Sequence, residues 1–494
     1  MGYQEQLDIN RLKRIQSVEK IIGWACQEMK WLTRKEEKAA NRERDGLIRS
    51  LSKSKEVIFS FANTKIHIGQ LSPGCLICGQ GYWSCMFSNR KCPGTCFFCP
   101  VETKIKKDFP AYEATEFTLR NPRDYIKFLK KYGFKGASIS GGEPFLVFNR
   151  SLSFAREIKK SFGDKMYVWL YTNGFLVTEE KLRKLKNSGL NEIRFNIAAR
   201  KYDLQPVEMA ARIIPTVTVE IPSIPEDFQI LKKTLPILKK IGVRHLNLHI
   251  LSAHPRNYRD YIKRGYTFMH YTEPTVFESE IAALNLLNYA LGKKIGLPIN
   301  YCTNTYKDRF QARGNRRWLN PLMKEEWEEL TDIYYIRRLT IQCSGENMDN
   351  MVKILKKLKV KRNLWAVDNE KAEIHIHSSL MQFHELYKYK FIVSYFTFSL
   401  SGIIFPGEEA KQIQVYSENK VFSKKKLVYQ EKLISPAVIK GFRRLYLEKE
   451  NENYVLKDLY LKSNVTAGQW RKDAERILLC REFEKMTEGF DYIC

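Results

Sequence analysis

The middle of this chain predicts an α/β fold, an incomplete (β/α)6 barrel. A helical N-terminal extension precedes it, and a small α+β domain ending in helices follows. Three observations predict this. Between Gln70 and Arg317, short β-branched runs alternate with amphipathic helix-like segments, the pattern of a parallel sheet with crossover helices. Helix-like segments end at Gly133, Gly163, Gly189 and Gly242, where a C-terminal cap glycine belongs. Cys92–Cys99, Gly141–Pro144 and Asn173 stand just past strand ends, where α/β barrels by analogy place their chemistry.

Taken in order, residues 1–68 read as a helical lead-in. Ile15, Val18, Ile22, Ala25, Met29 and Leu32 recur in steps of three and four, one apolar stripe set to pack on the main domain. Residues 69–325 hold the barrel. Its strand-like runs are Ser84–Ser88, Ala137–Ser140, Tyr167–Tyr171, Glu192–Ala198, Thr216–Ile221 and Leu246–Leu251. Helical segments fall near 121–132, 150–162, 178–188, 203–213, 226–241 and 275–295. Residues 326–406 suggest a small α+β domain, from Ile333–Ile341, a helix near 347–358, Glu373–His377 and Phe391–Ser399. Residues 407–494 read as a helical tail. Its pair Val455–Leu461 and Gly468–Leu479 faintly resembles a helix-turn-helix, although two small helices packed on the preceding domain are the expected arrangement.

The 494 residues are 44% hydrophobic and 13% aromatic, enough for a sizeable core. With 83 Lys and Arg against 55 Asp and Glu, the net charge is +28. That favours an anionic partner, a small molecule or RNA; a basic surface that only keeps the chain in solution is the plain alternative. Six of the eleven cysteines fall between Cys75 and Cys99. Such clustering suits metal in a reducing compartment better than a disulfide framework. No basic-then-apolar leader opens the chain, and the most apolar run, Phe391 to Phe405, is shorter than the ~20 residues that cross a bilayer. A cytoplasmic protein without a membrane partner is expected.

The chemistry concentrates in Lys91-Cys-Pro-Gly-Thr-Cys-Phe-Phe-Cys-Pro100. Cys92, Cys96 and Cys99 put three thiolates on one loop and no fourth. Three soft ligands hold three irons of a [4Fe–4S] cluster and leave the last iron open, whereas structural zinc wants four ligands. Upstream, Cys75, Cys78 and Cys85 form a second group. It could bind an auxiliary iron–sulfur cluster, complete a zinc site, or simply pack as small apolar residues. Cys302, after a strand-like run, is a candidate hydrogen-atom donor or ligand facing substrate, with a packed core thiol as the plain alternative. His249 and His254 are candidate proton donors. Lys307, Arg309, Arg313, Arg316 and Arg317 could clamp a phosphate or carboxylate, or line a solvated helix.

The cysteine loop, then Ser140-Gly-Gly-Glu-Pro144, then Tyr171-Thr-Asn-Gly174, resemble in this order the radical S-adenosylmethionine (SAM) superfamily. Within it, the spacing and six-unit core are similar to uncharacterised members like pyruvate formate-lyase activating enzyme. The resemblance covers about residues 70 to 320. It implies SAM chelated at the open iron and cleaved reductively to a 5′-deoxyadenosyl radical, with an electron donor of flavodoxin or ferredoxin type. It also implies roles for single residues. Phe98 packs on the adenine; Gly141, Gly142, Glu143 and Pro144 meet the SAM amino group; Asn173 and Asn196 hydrogen-bond its ribose or carboxylate; Val219–Pro225 walls the adenine. Two departures stand out. Only Cys343, Cys480 and Cys494 lie beyond Cys302, which counts against peptide maturation, and no Asp-x-His-x2-Gly corrinoid signature is present. Two alternatives remain open at this level: methyl or alkyl transfer from the same cluster, and a non-enzymatic zinc-bearing protein that binds nucleic acid. A glycyl-radical enzyme partner ranks third among the substrates.

Overall fold

The computed structural model describes residues 27–101, 112–114, 117–119, 121–270, 273–343, 345–400, 409–416, 419–433, 435–462 and 466–490. Most of the helix expected at Ile15–Leu32 lies outside them. Its described end, Lys30–Trp31, is a short strand paired in parallel with Thr267–Met269. The described residues divide into two compact units, 27–314 with 488–490, and 315–487.

The first unit is built on an eleven-stranded sheet. After helix α1 (Arg34–Ser52) come the antiparallel strands β1 (Val57–Ser60) and β2 (Lys65–Ile68), then the short helix α2 (Pro73–Gly79). The barrel strands follow: β3 (Trp83–Asn89), β4 (Gly136–Gly141), β5 (Tyr167–Thr172), β6 (Glu192–Phe195), β7 (Thr216–Pro222), β8 (His245–His249) and β9 (Ile299–Cys302). Each of these pairs in parallel with the next. Strand β9 is thus a seventh parallel strand beyond the six expected, and it pairs antiparallel with β2. The sheet runs from β1 at one edge to Phe117–Leu119 at the other without closing, an incomplete barrel. Strand and helix bounds match the periodicity to within a few residues, and Gly133, Gly163, Gly189 and Gly242 all carry positive φ.

Period-two alternation decides what faces inward. Ile139, Leu170, Ile193, Val219, Leu248 and Tyr301 are buried on one face. The intervening positions are Ser138 and Ser140, Trp169 and Tyr171, Glu192 and Arg194, Glu220, Asn247 and His249, Asn300 and Cys302. Strands with one apolar face can pack helices there and turn polar groups into a lumen. Helix α2 lies on the polar side: a Cβ added at Gly74 would stand 2.5 Å from Arg194 Nη2 and 3.0 Å from Glu192 Oε2.

The second unit is an antiparallel sheet with helices. Its strands include Ile336–Gln342, Trp365–Asp368, Glu373–Ile376 and Lys390–Leu400. The stretch after Gly407, read as helical, first forms two paired strands, Ala410–Tyr416 and Asn419–Leu433. Ile413 and Val415 alternate there with exposed Gln412 and Gln414, a period of two that tertiary pairing selects over a helix. The helices Glu452–Lys462 and Ala467–Leu479 bury Val455, Leu459 and Ile477 in this unit's core; 463–465 between them lie outside the described residues.

Candidate metal and cofactor site

The cysteine loop leaves β3 at Asn89 and is fastened to the end of β4. Gly142 N donates to Asn89 O at 2.8 Å, Glu143 N to Lys91 O at 2.8 Å, and Asn89 Nδ2 to Glu143 O at 2.9 Å. This approach explains the two glycines. Gly141 has φ +120°, and a Cβ on it would lie 2.2 Å from Asn89 O; one on Gly142 would lie 2.0 Å from Lys91 O. Backbone cannot yield as a side chain would, so both positions require glycine. The residue pair thus makes room for the cysteine loop itself.

Glu143 is 0% exposed, and its carboxylate is engaged. Oε1 accepts from Phe145 N and Thr172 Oγ1, both at 2.9 Å, and Oε2 from Asn173 N at 2.7 Å. Burial raises its pKa, and the three hydrogen bonds only partly offset that. Glu143 therefore braces the ends of β4 and β5 beneath the loop. Pro144 is buried beside it and opens a 3₁₀ turn. Asn173 is clamped by its own backbone: Oδ1 accepts from Phe175 N at 3.0 Å, which leaves Nδ2 to donate to Cys92 Sγ at 3.2 Å. Gly94 N also donates to that sulfur, at 3.3 Å.

Cys92, Cys96 and Cys99 are all half-buried free thiols. A Cβ at Gly94 would stand 3.4 Å from Cys92 Sγ and 3.7 Å from Cys96 Sγ, so Gly94 lies within van der Waals reach of two of the sulfurs. Among the described residues no three cysteine sulfurs lie within 4.8 Å of one another. Tetrahedral zinc would hold its sulfurs roughly 3.8 Å apart, given Zn–S near 2.3 Å. The wider spread on one loop, with no fourth protein ligand on it, fits a polynuclear iron–sulfur cluster. Burial pushes the Cys96 thiol up to about 11, with the neighbouring Cys99 and Cys92 adding to it, and burial also raises Cys92. A bound metal centre reverses that cost by taking the thiolates.

The remaining expected residues fall as follows. Phe98 packs with Phe97 against Leu251, Tyr258, Tyr261 and Phe268, and its carbonyl accepts from Asn257 Nδ2 at 3.0 Å. Asn196, half-buried past β6, caps the turn Ile197–Arg200 by accepting from Ala199 N. Val219 and Ile221 alternate with Glu220 within β7, so only Ser223, Ile224 and Pro225 of the expected adenine wall stand beyond the strand end. The basic segment does not act as one clamp. Arg309 Nη1 donates to Gly489 O at 3.1 Å, while in the other unit Arg316 Nε donates to Ile333 O at 3.1 Å. His254 is 3.6 Å from Glu273.

The second thiol group is regrouped. Cys85 hydrogen-bonds to Ser138 and Ser140 on the adjacent strand. In its place Cys302 joins Cys75 and Cys78 around Lys65, whose Nζ lies 2.8 Å from Cys302 Sγ. Beside them Glu220 takes Arg194 Nη1 at 2.7 Å, Asn247 Nδ2 at 2.8 Å and His249 Nε2 at 2.9 Å. Burial would raise Glu220, but Arg194 and His249 hold it well below the usual carboxylate range. Burial lowers the pKa of His249, and the neighbouring Glu220 only partly offsets that. Lys65, Arg194, Glu220 and Asn247 were missed from sequence. Each is a polar residue at an alternate position among apolar strand residues, the one signal that could have exposed them.

Residues 86–207 match the radical SAM superfamily. A Methanocaldococcus jannaschii protein, named as a candidate glycyl-radical enzyme activating enzyme, is 29% identical over 297 residues, covering 58% of this chain and 78% of its own. Among solved structures, methylornithine synthase aligns at 13% identity and TM-score 0.33, over 56% of this chain and 83% of its own. A radical SAM methyltransferase of Kitasatospora setae aligns at 14% identity and TM-score 0.28, over 38% of this chain and 41% of its own. The chain thus spans about two fifths of that methyltransferase. The superfamily match sets aside the non-enzymatic, zinc-bearing alternative. No described helix is long and apolar enough to cross a membrane.

Proposed function

Because the chain is an enzyme of the radical SAM class, we propose that Cys92, Cys96 and Cys99 hold a [4Fe–4S] cluster at which SAM is cleaved reductively. When bound, such a cluster would supply the single electron that reductive cleavage of SAM to a 5′-deoxyadenosyl radical requires. The protein's own part is positional. Gly141 and Gly142 let β4 seat the loop, Glu143 joins it to β5, and Asn173 donates a hydrogen bond to Cys92. Phe98, Asn196 and the segment after β7, Ser223–Pro225, are the residues this reading assigns to the border of SAM. The single observation that carries this reading is the loop of three half-buried free thiols, Cys92, Cys96 and Cys99.

The net charge of +28 favours an anionic substrate, a small molecule or RNA. Lys307 points the same way: it sits electrostatically close to Glu220, Glu273 and Cys302, with no ion pair within 4 Å among the described residues. A second reading, abstraction from a glycyl-radical enzyme partner, is favoured by the name of the Methanocaldococcus jannaschii relative. Either needs a flavodoxin- or ferredoxin-type donor and a reducing, cytoplasmic setting, which nine free cysteines among the described residues suit. The test is product analysis of oxygen-free protein with dithionite and SAM. Formation of 5′-deoxyadenosine that is lost in Cys96→Ala supports the proposal. S-adenosylhomocysteine in its place would indicate methyl transfer, and neither product would reject both.

A further inference from the structure

We propose that Asn257 and Arg264 are positioning residues that hold the Cys96–Cys99 half of the cysteine loop from the segment beyond β8. The proposal rests on the assignment of that loop to the cluster and SAM, and it adds the half that β4 does not fasten. Contacts from β4 and Asn173 reach Asn89, Lys91 and Cys92. The other half is gripped by the turn 252–257 and by the helix Tyr258–Lys263 that follows it. Asn257 is 0% exposed. Its Nδ2 lies 3.0 Å from Phe98 O, 3.2 Å from Ser252 O and 3.2 Å from Tyr261 Oη, and its Oδ1 accepts from His254 N at 2.7 Å. The Phe98 carbonyl and the Cys99 N–H belong to one planar peptide, and that N–H donates to Cys96 O at 3.2 Å. Fixing the carbonyl therefore fixes the direction in which the Cys99 side chain leaves the loop. One buried carboxamide ties the third thiol to the turn past β8.

Phe97 is held by a second set of contacts. Arg264 Cζ stands 3.7 Å from the Phe97 ring centroid, and Tyr261 meets the same ring edge-on at 6.0 Å. A guanidinium over an aromatic face is attracted by the ring quadrupole. Arg264 is itself anchored. Its Nη1 donates to Glu226 Oε1 at 3.0 Å, while Tyr266 Oη donates to Glu226 Oε2 at 2.6 Å. Glu226 directly follows Ser223–Pro225, the segment assigned to the border of SAM. Both residues between Cys96 and Cys99 are thus clasped to the ends of β7 and β8. Neither Asn257 nor Arg264 offers a sulfur or takes part in a reaction step. Their effect passes through Phe98 and Cys99, as outer partners orient the groups that ligate or border a cofactor. A misplacement of about 1 Å at such a site costs roughly 100-fold in rate.

Two readouts on the full-length protein test the clasp. The first needs no cofactor: hydrogen exchange of the metal-free protein, in which Asn257→Asp removes the donor to Phe98 O. Exchange across 96–99 should quicken at least ~10-fold, while Gly142 and Glu143, tied to the loop's first half, keep their protection. The second is steady-state formation of 5′-deoxyadenosine by the reconstituted, oxygen-free protein. Asn257→Asp should raise KM for SAM at least ~10-fold with iron retained, and Arg264→Met about 3-fold. A merely structural role would shrink the active fraction, lowering kcat with KM unmoved. Arg264 keeps 38% of its side chain open to solvent, so its variant folds and decides the question if Asn257→Asp does not. Arg259→Met, on the same helix and bonded to Tyr258, should change neither readout. Unchanged exchange across 96–99 in both variants, or a loss confined to kcat, overturns the proposal. Faster exchange in the variants of a protein whose wild type makes no 5′-deoxyadenosine would support the clasp and strike the cofactor assignment instead.

Discussion

The two cysteine groups hold three sulfurs each and are built in opposite ways. Cys92, Cys96 and Cys99 ride one eight-residue loop, half-buried, at the C-terminal mouth of the strands. Cys75, on α2, and Cys302, on β9, are buried and 227 positions apart in the chain, and Cys302 meets Lys65 because β9 lies beside β2. The first group is held by backbone contacts around two glycines, the second by a charged side chain and an amide chain. A site on one loop is exposed to cofactor and sensitive to backbone space. A site assembled from distant strands is sheltered and sensitive to charge.

The largest effect should come from the backbone. Gly142→Ala puts a Cβ 2.0 Å from Lys91 O, so the cysteine loop must move. Iron content after anaerobic reconstitution should fall at least ~10-fold and SAM cleavage ~100-fold. Gly133→Ala, with nothing within 4 Å and only a φ of +63° to strain, should cost about 1 kcal/mol in denaturant melts and keep its iron. Equal iron loss in the two variants would erase the distinction.

Glu143→Gln tests the brace. It replaces a carboxylate acceptor with an amide that must turn two N–H donors toward Phe145 N, Thr172 or Asn173 N. A loss of about 2–3 kcal/mol is expected by urea unfolding, since buried donors lose their partner. Unchanged stability would show that the strand ends do not depend on it.

Acid should separate the two regions by sign. Glu143 has a raised pKa, so the folded state binds its proton first, and its contribution grows as pH falls through that folded value. Glu220 is held low, so its contribution is complete above 4.5, its unfolded value, and is lost as pH falls below that. His249 is held low as well, and the loss begins near 6.5. Hydrogen exchange corrected for intrinsic rate should show β8 and β9 losing protection between pH 7 and 5, while the β4–β5 junction holds. A uniform loss would contradict this assignment.

The smallest effect is expected at Asn173. Asn173→Leu removes an N–H···S bond to Cys92, and hydrogen bonds to cluster sulfurs raise reduction potential. Potentiometry followed by electron paramagnetic resonance should find a shift to more negative potential with the iron retained. No shift would return Asn173 to a purely cofactor-facing role.

How much was legible follows the same division. Spacing of Cys92, Cys96 and Cys99 is local, so the first group could be read directly, as could strands whose apolar residues alternate on one face. Gly141 and Gly142 were found, yet their reason was not, because the atoms that exclude a Cβ belong to residues some 50 positions away. Lys65 sat in a segment read as helical, although Lys65-Ile66-His67-Ile68 alternates polar and apolar residues at strand spacing. Cys85 was grouped with Cys75 by proximity in sequence; only strand pairing shows that Cys302 is the nearer partner. The strands Ala410–Tyr416 and Asn419–Leu433 were obscured by lysines, whose charges say nothing about which face is covered.

The central claim is an open coordination position on a cluster held by Cys92, Cys96 and Cys99. It is tested most directly by electron paramagnetic resonance of the reduced, oxygen-free protein before and after adding SAM. The account predicts a changed signal with SAM, and no such signal in Cys96→Ala. A cluster spectrum that SAM leaves untouched would contradict it.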